Sequence, residues 1–176
     1  MRGSGRPVRT DLVAFFGALS LFFATLEYLI PKPIPFFRLG LSNLPLLVSL
    51  GFFTFPEQLL LLLLKVVGTG IVNGTLASYV FLFSSGAALA SFVVMYGLYR
   101  LVPARWLSLT GISLAGSLAS NTVQIVLAIA LVYGPASGVV APWYFGLGTF
   151  TGWAMGYAAD VFKDHSKWYG RLRGNP

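Results

Sequence analysis

Long apolar runs, broken at intervals by proline, glycine and a few charges, occupy residues 11–163 of the chain. A helix needs about 20 apolar residues to cross the roughly 30 Å hydrocarbon core of a bilayer. Six such helices are predicted, over 12–30, 39–54, 56–73, 77–101, 108–133 and 142–162. The breaks between them have mechanisms. Pro31-Lys-Pro-Ile-Pro35 cannot continue a helix, because proline lacks the amide donor and clashes with the preceding turn. Thr54 and Glu57 bracket Phe55-Pro56 in a capping pattern that starts the third helix. Asn73-Gly74 ends it, and Gly134-Pro135 turns the chain between the last two. The second run is the weakest: it is short and carries Pro45 and Gly51.

Composition turns this pattern into a membrane assignment. Of 176 residues, 56% are hydrophobic and only 10% charged, with a mean hydropathy of +0.78. A soluble domain carries about 25% charged residues to wet its surface. Ten of the 17 charges lie in residues 1–11 and 160–176, which leaves seven for the 148 residues between. Such a middle faces lipid. The expected organisation is an all-α integral membrane protein: a tail over 1–10, a six-helix bundle over 11–163 and a basic tail over 164–176.

Orientation follows from lysine and arginine in the connections. With a cytoplasmic N-terminus, nine of them fall on inside segments against two, Lys32 and Arg38, outside. Both termini are therefore expected in the cytoplasm. The same bias accounts for the net charge of +7 without a nucleic-acid partner, because seven of the twelve basic residues sit in the tails and form no aromatic-interleaved patch. There is no cysteine, and the single histidine, His165, cannot build a multi-histidine metal site. No metal or cofactor is expected.

The candidate chemistry lies in the few polar residues inside the spans. Lys65 sits eight residues beyond Glu57, about 12 Å up its helix, where a lysine costs about 2.5–3.5 kcal/mol to insert. The leucines Leu59 to Leu64 offset this at about 0.3–0.6 kcal/mol each. Thr69 and Asn73 follow at i+4 and i+8, so one polar stripe runs up an apolar helix. Lining a functional cavity is one reading; snorkelling or a structural pair with Glu27 is the other. Ser113, Ser117, Ser120, Asn121 and Gln124 form a second stripe. The serines fit close helix packing, whereas Asn121 and Gln124 offer amide donors and acceptors either to a ligand or to neighbouring helices. Glu27, Lys32, Arg38, Ser42 and Asn43 gather around the first connection. Arg38 at an entrance and Lys65 deeper would suit a carboxylate or phosphate, and Lys32 and Arg38 also suit lipid headgroups. Ala14 and Ala18, one turn apart, fit either intramolecular packing or a partner subunit, while Gly148, Gly152 and Gly156 point to packing within the chain.

The runs E-Y-L-I-P-K-P-I-P-F-F-R-L-G-L-S-N (27–43), N-G-T (73–75), S-S-G-A-A-L-A-S (84–91) and G-I-S-L-A-G-S-L-A-S-N-T-V-Q (111–124) resemble the Gx transporter family, also labelled heptaprenyl diphosphate synthase component I. Relatives often carry histidine before the asparagine, where this chain has Ser120. That family in turn resembles the substrate-binding S components of energy-coupling factor (ECF) transporters. The resemblance implies a non-enzymatic, multi-pass subunit in a prokaryotic cell membrane that takes up a small solute such as a vitamin from outside. Arg38, Asn43, Lys65, Asn73, Asn121 and Gln124 would bind it. Ala14 and Ala18 would dock on a transmembrane coupling subunit driven by two ATPases, since this chain has no phosphate-binding loop of its own. The other label implies a membrane scaffold or lipid-presenting subunit of polyprenyl diphosphate synthesis. Catalysis of that kind needs clustered acids to hold magnesium, whereas this chain has three aspartates, of which Asp160 and Asp164 stand four apart without a doubled pair.

Overall fold

The computed structural model describes residues 9–30, 40–103, 106–134, 141–166 and 169. Among them the chain is all helical. In order come α1 (Thr10–Leu29), a 3₁₀ turn (Leu41–Asn43), α2 (Leu44–Ser49), α3 (Phe55–Val72), α4 (Tyr79–Leu101), α5 (Leu109–Ala128) with a π-helical extension (Ile129–Tyr133), and α6 (Ala141–His165). Helices α1, α3, α4 and α5 are each long and apolar enough to cross a membrane. They expose large apolar side chains such as Phe22, Leu63 and Val93 on their outer faces, as lipid contact requires.

The expected helix starts are present. Glu57 accepts from Thr54 N (2.7 Å) and Thr54 Oγ1 (2.8 Å), with Pro56 in the first turn, where its missing donor costs nothing. The other oxygen of Glu57 accepts from Arg9 N at 3.0 Å, so one carboxylate ties the start of α1 to the start of α3. Ser78 caps α4 and Ser108 caps α5. Asp160, on α6, accepts from Leu109 N (3.2 Å), Thr110 N (2.9 Å) and Thr110 Oγ1 (2.7 Å). Its charge neutralises the positive end of α5.

Two predicted spans differ. The segment 39–54 is not one crossing helix. Gly40 takes a left-handed φ of +81°, a 3₁₀ turn follows, and α2 then runs for only six residues, about 9 Å. Pro45 fits at the start of α2 and would break a helix that continued from Arg38. The short helix that follows is covered by protein: Pro45, Leu46, Leu47, Val48 and Ser49 are all buried, which is where membrane proteins tolerate an interrupted path. The last helix, α6, has 25 residues but falls outside the set apolar enough to qualify by composition. It places Gly148, Gly152 and Gly156 against α5 and exposes Trp143, Phe150 and Trp153.

Small residues set the packing. Helix α1 lies on α3 through Gly17, which meets Leu61 and Leu64, while Gly68 meets Leu21 from the other side. Helix α5 packs most extensively against α4 and α6. The apolar core, including Val13, Phe16, Leu46, Leu61, Phe92 and Ile112, fills the part of the bundle near the starts of α1, α3 and α5. The remaining interior mixes buried polar residues, Glu27, Lys65, Ser91 and Asn121 among them, with Phe83, Ala87 and Tyr144.

Candidate functional site

Three helical faces converge on that interior. On α4 they are Ser84, Ala87, Ala88, Ser91 and Met95; on α5, Ser113, Ser117, Ser120 and Asn121; on α6, Gly148, Thr151, Gly152 and Met155. Each set follows the i, i+3, i+4, i+7 spacing of a single helix face. The irregular segment before α2 closes the fourth side with Gly40, Ser42 and Asn43, and Glu27 and Lys65 reach in from α1 and α3. Together they line a partly open cavity of about 50 Å³. Among the described residues no aromatic side chain lines it.

Among the described residues, two bring formal charge to the cavity. Lys65 is 4% exposed and Glu27 5%, and among the described residues they are the only formal charges on the cavity wall. Lys65 Nζ donates to Asn43 Oδ1. One oxygen of Glu27 accepts from Gly40 N at 3.2 Å, which fixes the left-handed turn ahead of the 3₁₀ segment. Buried charges persist only where polar groups compensate them, and here hydroxyls and amides surround both. The hydroxyl of Ser84 is buried with no hydrogen-bond partner among the described residues, although it lines the cavity. Buried polar atoms are otherwise nearly always paired. A water or a ligand atom in the cavity would complete it.

The residues singled out from the sequence separate into groups. Lys65, Asn43 and Asn121 line the one cavity. Asn121 also donates from Nδ2 to Tyr144 O at 3.0 Å, which ties α5 to the start of α6. Gln124 is buried but lies beyond the cavity wall, with Nε2 donating to Ser120 Oγ at 3.2 Å. Asn73 caps the end of α3 and does not line the cavity; its Oδ1 and the hydroxyl of Thr69 are buried without partners among the described residues. Arg38 lies outside the described residues, as does Lys32. Ala14 and Ala18 are exposed on α1.

Glu27 and the α4 face were missing from the sequence-derived site. Glu27 carried a signal, since a carboxylate within an apolar run is expensive unless it is used. Ser84 and Ser91 carried a weaker one, a seven-residue spacing shared with ordinary packing faces.

A wider groove of about 750 Å³ lies near the start of α5, lined by Arg100, Trp106, Asp160, Lys163 and Asp164 among others. Asp160 is already committed there to the N-terminus of α5. Among the described residues no three His, Asp or Glu side chains gather as metal ligands would.

Comparison with curated proteins and with solved structures finds no match for the chain. Family comparison does: the model of the family described as heptaprenyl diphosphate synthase component I matches residues 16–162. That stretch takes in most of α1, the described cavity wall on every side and most of α6, so the chain belongs to the heptaprenyl diphosphate synthase component I family.

Proposed function

We propose that this chain is the solute-binding membrane subunit of an uptake transporter of the energy-coupling factor type. It captures a small polar solute in the cavity around Lys65 and relies on separate subunits for energy. The single observation that supports this most is the cavity itself. A buried lysine, a buried glutamate and a wall of hydroxyls and amides lie inside helices whose outer faces are apolar. Ionisable residues within membrane helices are expensive and mark solute pathways.

In this reading α1 to α6 form a six-part bundle in the cell membrane with both termini on the cytoplasmic side. The cavity then opens outward, beside Gly40 and Asn43. The irregular segment before α2 presents backbone and side-chain polar groups at membrane depth, where only a protein-covered or ligand-lined position tolerates them. The chain performs no chemistry; it selects the solute, and partner ATPases acting through a coupling subunit drive its release inside.

The decisive measurement is mass spectrometry of small molecules retained by the full chain after gentle extraction. A polar solute bound in stoichiometric amount is expected. Lipid or isoprenoid alone would sink the transport reading and favour the scaffold role that the family's name suggests.

Docking is assigned to the outer face of α1. Ala14 and Ala18 are exposed there while Gly17 takes the inward contact with α3, and small residues let a partner helix approach closely. Ala14→Trp combined with Ala18→Trp should abolish co-purification with a coupling subunit, leaving the unfolding midpoint and solute retention unchanged. Undiminished co-purification would remove this face from the docking surface.

A further inference from the structure

We infer that the groove between the end of α4, the start of α5 and the end of α6 holds the headgroup of an anionic phospholipid, with its phosphate on Arg100 and Lys163. This site is distinct from the cavity around Lys65 and does not depend on what that cavity binds. Helix α4 ends at Leu101 and α5 starts at Leu109, and both are long and apolar enough to cross a membrane. The groove between their ends therefore lies where hydrocarbon meets water. Trp106, on its wall, is 74% exposed, and Leu101 beside it 84%. An exposed leucine suits acyl chains, and tryptophan favours headgroup depth because its ring is apolar and its N–H polar.

The charges suit a phosphate. Arg100 enters from α4 and Lys163 from α6. The Arg100 guanidinium lies over the Tyr96 ring, 5.9 Å from its centroid. That contact uses the face of the guanidinium and leaves its in-plane N–H groups for a phosphate, which they match in a fork. Asp160 also lines the groove, but both its oxygens are taken by the start of α5. Asp164 is exposed on the last turn of α6, where water weakens its repulsion of an anion. All five acidic side chains of the chain, Asp11, Glu27, Glu57, Asp160 and Asp164, are among the described residues. The remaining residues can add only positive side-chain charge, and Arg105, directly before Trp106 in the chain, is one such cation.

The groove selects a lipid over a free phosphate by its apolar side. Val102, Leu107, Leu109 and Ile112 also line it, and the last two are buried, so its deep part is apolar. A soluble phosphate would leave that surface to water, whereas the glycerol and first acyl carbons of a lipid cover it. At about 750 Å³ the groove has room for both. Basic pockets between membrane helices bind anionic headgroups in this way.

The test is native mass spectrometry of the full chain in detergent, titrated with dioleoyl phosphatidylglycerol, dioleoyl phosphatidylcholine and glycerol phosphate. Each basic residue near a membrane surface favours anionic lipid roughly fivefold, so phosphatidylglycerol is expected to bind at least about tenfold more tightly than either of the others. Arg100→Gln combined with Lys163→Gln should cut that preference at least about tenfold, with the unfolding midpoint unchanged. Arg2→Gln combined with Arg6→Gln removes the same charge from the N-terminal tail and should leave the preference intact. Equal binding of the two lipids, which would leave the groove to an acidic protein segment, overturns the inference. So does glycerol phosphate binding as tightly as phosphatidylglycerol, and so does a preference that survives the Arg100 and Lys163 changes or falls equally with the tail changes. The first two comparisons use the wild type and decide the matter even if a variant folds poorly.

Discussion

Replacing Lys65 by methionine is expected to weaken solute retention by about 10- to 100-fold while the protein still folds. A hydrogen bond to a charged group contributes about 1.5–3 kcal/mol, and each 1.4 kcal/mol is about tenfold in affinity. Lys65 is the only cation among the described residues of the cavity wall. Methionine has similar length and no charge, and it removes the roughly 2.5–3.5 kcal/mol cost of inserting a lysine. Yield and unfolding midpoint should therefore hold or rise. Asn43 Oδ1 loses the donor it now has but borders a polar cavity, where water can replace it. The check is the amount of solute retained per mole of protein, measured beside the unfolding midpoint. Retention at the wild-type level would take Lys65 out of the site.

Gly156→Leu is expected to have the largest effect on stability, at least about 3 kcal/mol, because overpacking a tight contact already costs about 1–3 kcal/mol for modest additions. A Cβ at Gly156 would overlap Thr110 Cα, lie 3.0 Å from Thr110 O and sit 2.9 Å from Ser113 Cβ. Backbone there cannot swing aside as a flexible side chain can. The first turn of α5 is also pinned by Asp160, one turn along α6, through the amides of Leu109 and Thr110. Relief of the clash would break that cap. Gly146, on the same helix, supplies the control: a Cβ there meets nothing within 4 Å. Gly146→Ala should be neutral or stabilise by about 0.5–1 kcal/mol through helix propensity. Unfolding midpoints in detergent, followed by tryptophan fluorescence, separate the two. Equal midpoints for Gly156→Leu and the wild type would mean that α5 and α6 are not in the contact described.

The two predictions bear on different parts of one arrangement. Gly152 and Gly156 let α6 come close to α5, and that approach brings Thr151 and Met155 to the cavity wall. Ser117 serves both purposes: it faces Gly152 and lines the cavity. The packing role that the sequence suggested for this serine holds, and the same residue also borders the cavity.

Local features were readable in advance. The Thr54–Glu57 box is a relation across three residues, and the backbone donors it satisfies belong to the same turn. The apolar spans were readable because hydrocarbon demands length and composition, both linear properties. The segment 39–54 was misjudged because length and hydropathy alone do not distinguish a crossing helix from an apolar chain wrapped by its neighbours. Pro45 and Gly51 were visible; the burial that makes a broken path acceptable was not. Asn73 and Gln124 share stripes with Lys65 and Asn121 and still fall outside the cavity. Periodicity determines which face a residue occupies, but the extent of the cavity along that face depends on where the opposing helices begin and end.

The primary structure by itself determined that this is a helical membrane protein, where its longer helices start and stop, and which few polar residues the lipid makes expensive. Those are one-dimensional consequences of solvation and backbone hydrogen bonding. Only the tertiary structure decided that Glu27 and Lys65, 38 positions apart, share one small cavity, and that serines from two helices and a broken turn complete it. The reason is physical: the pairing of distant charges depends on how closely helices approach, and that distance is set by the glycines and side-chain volumes at every contact between them.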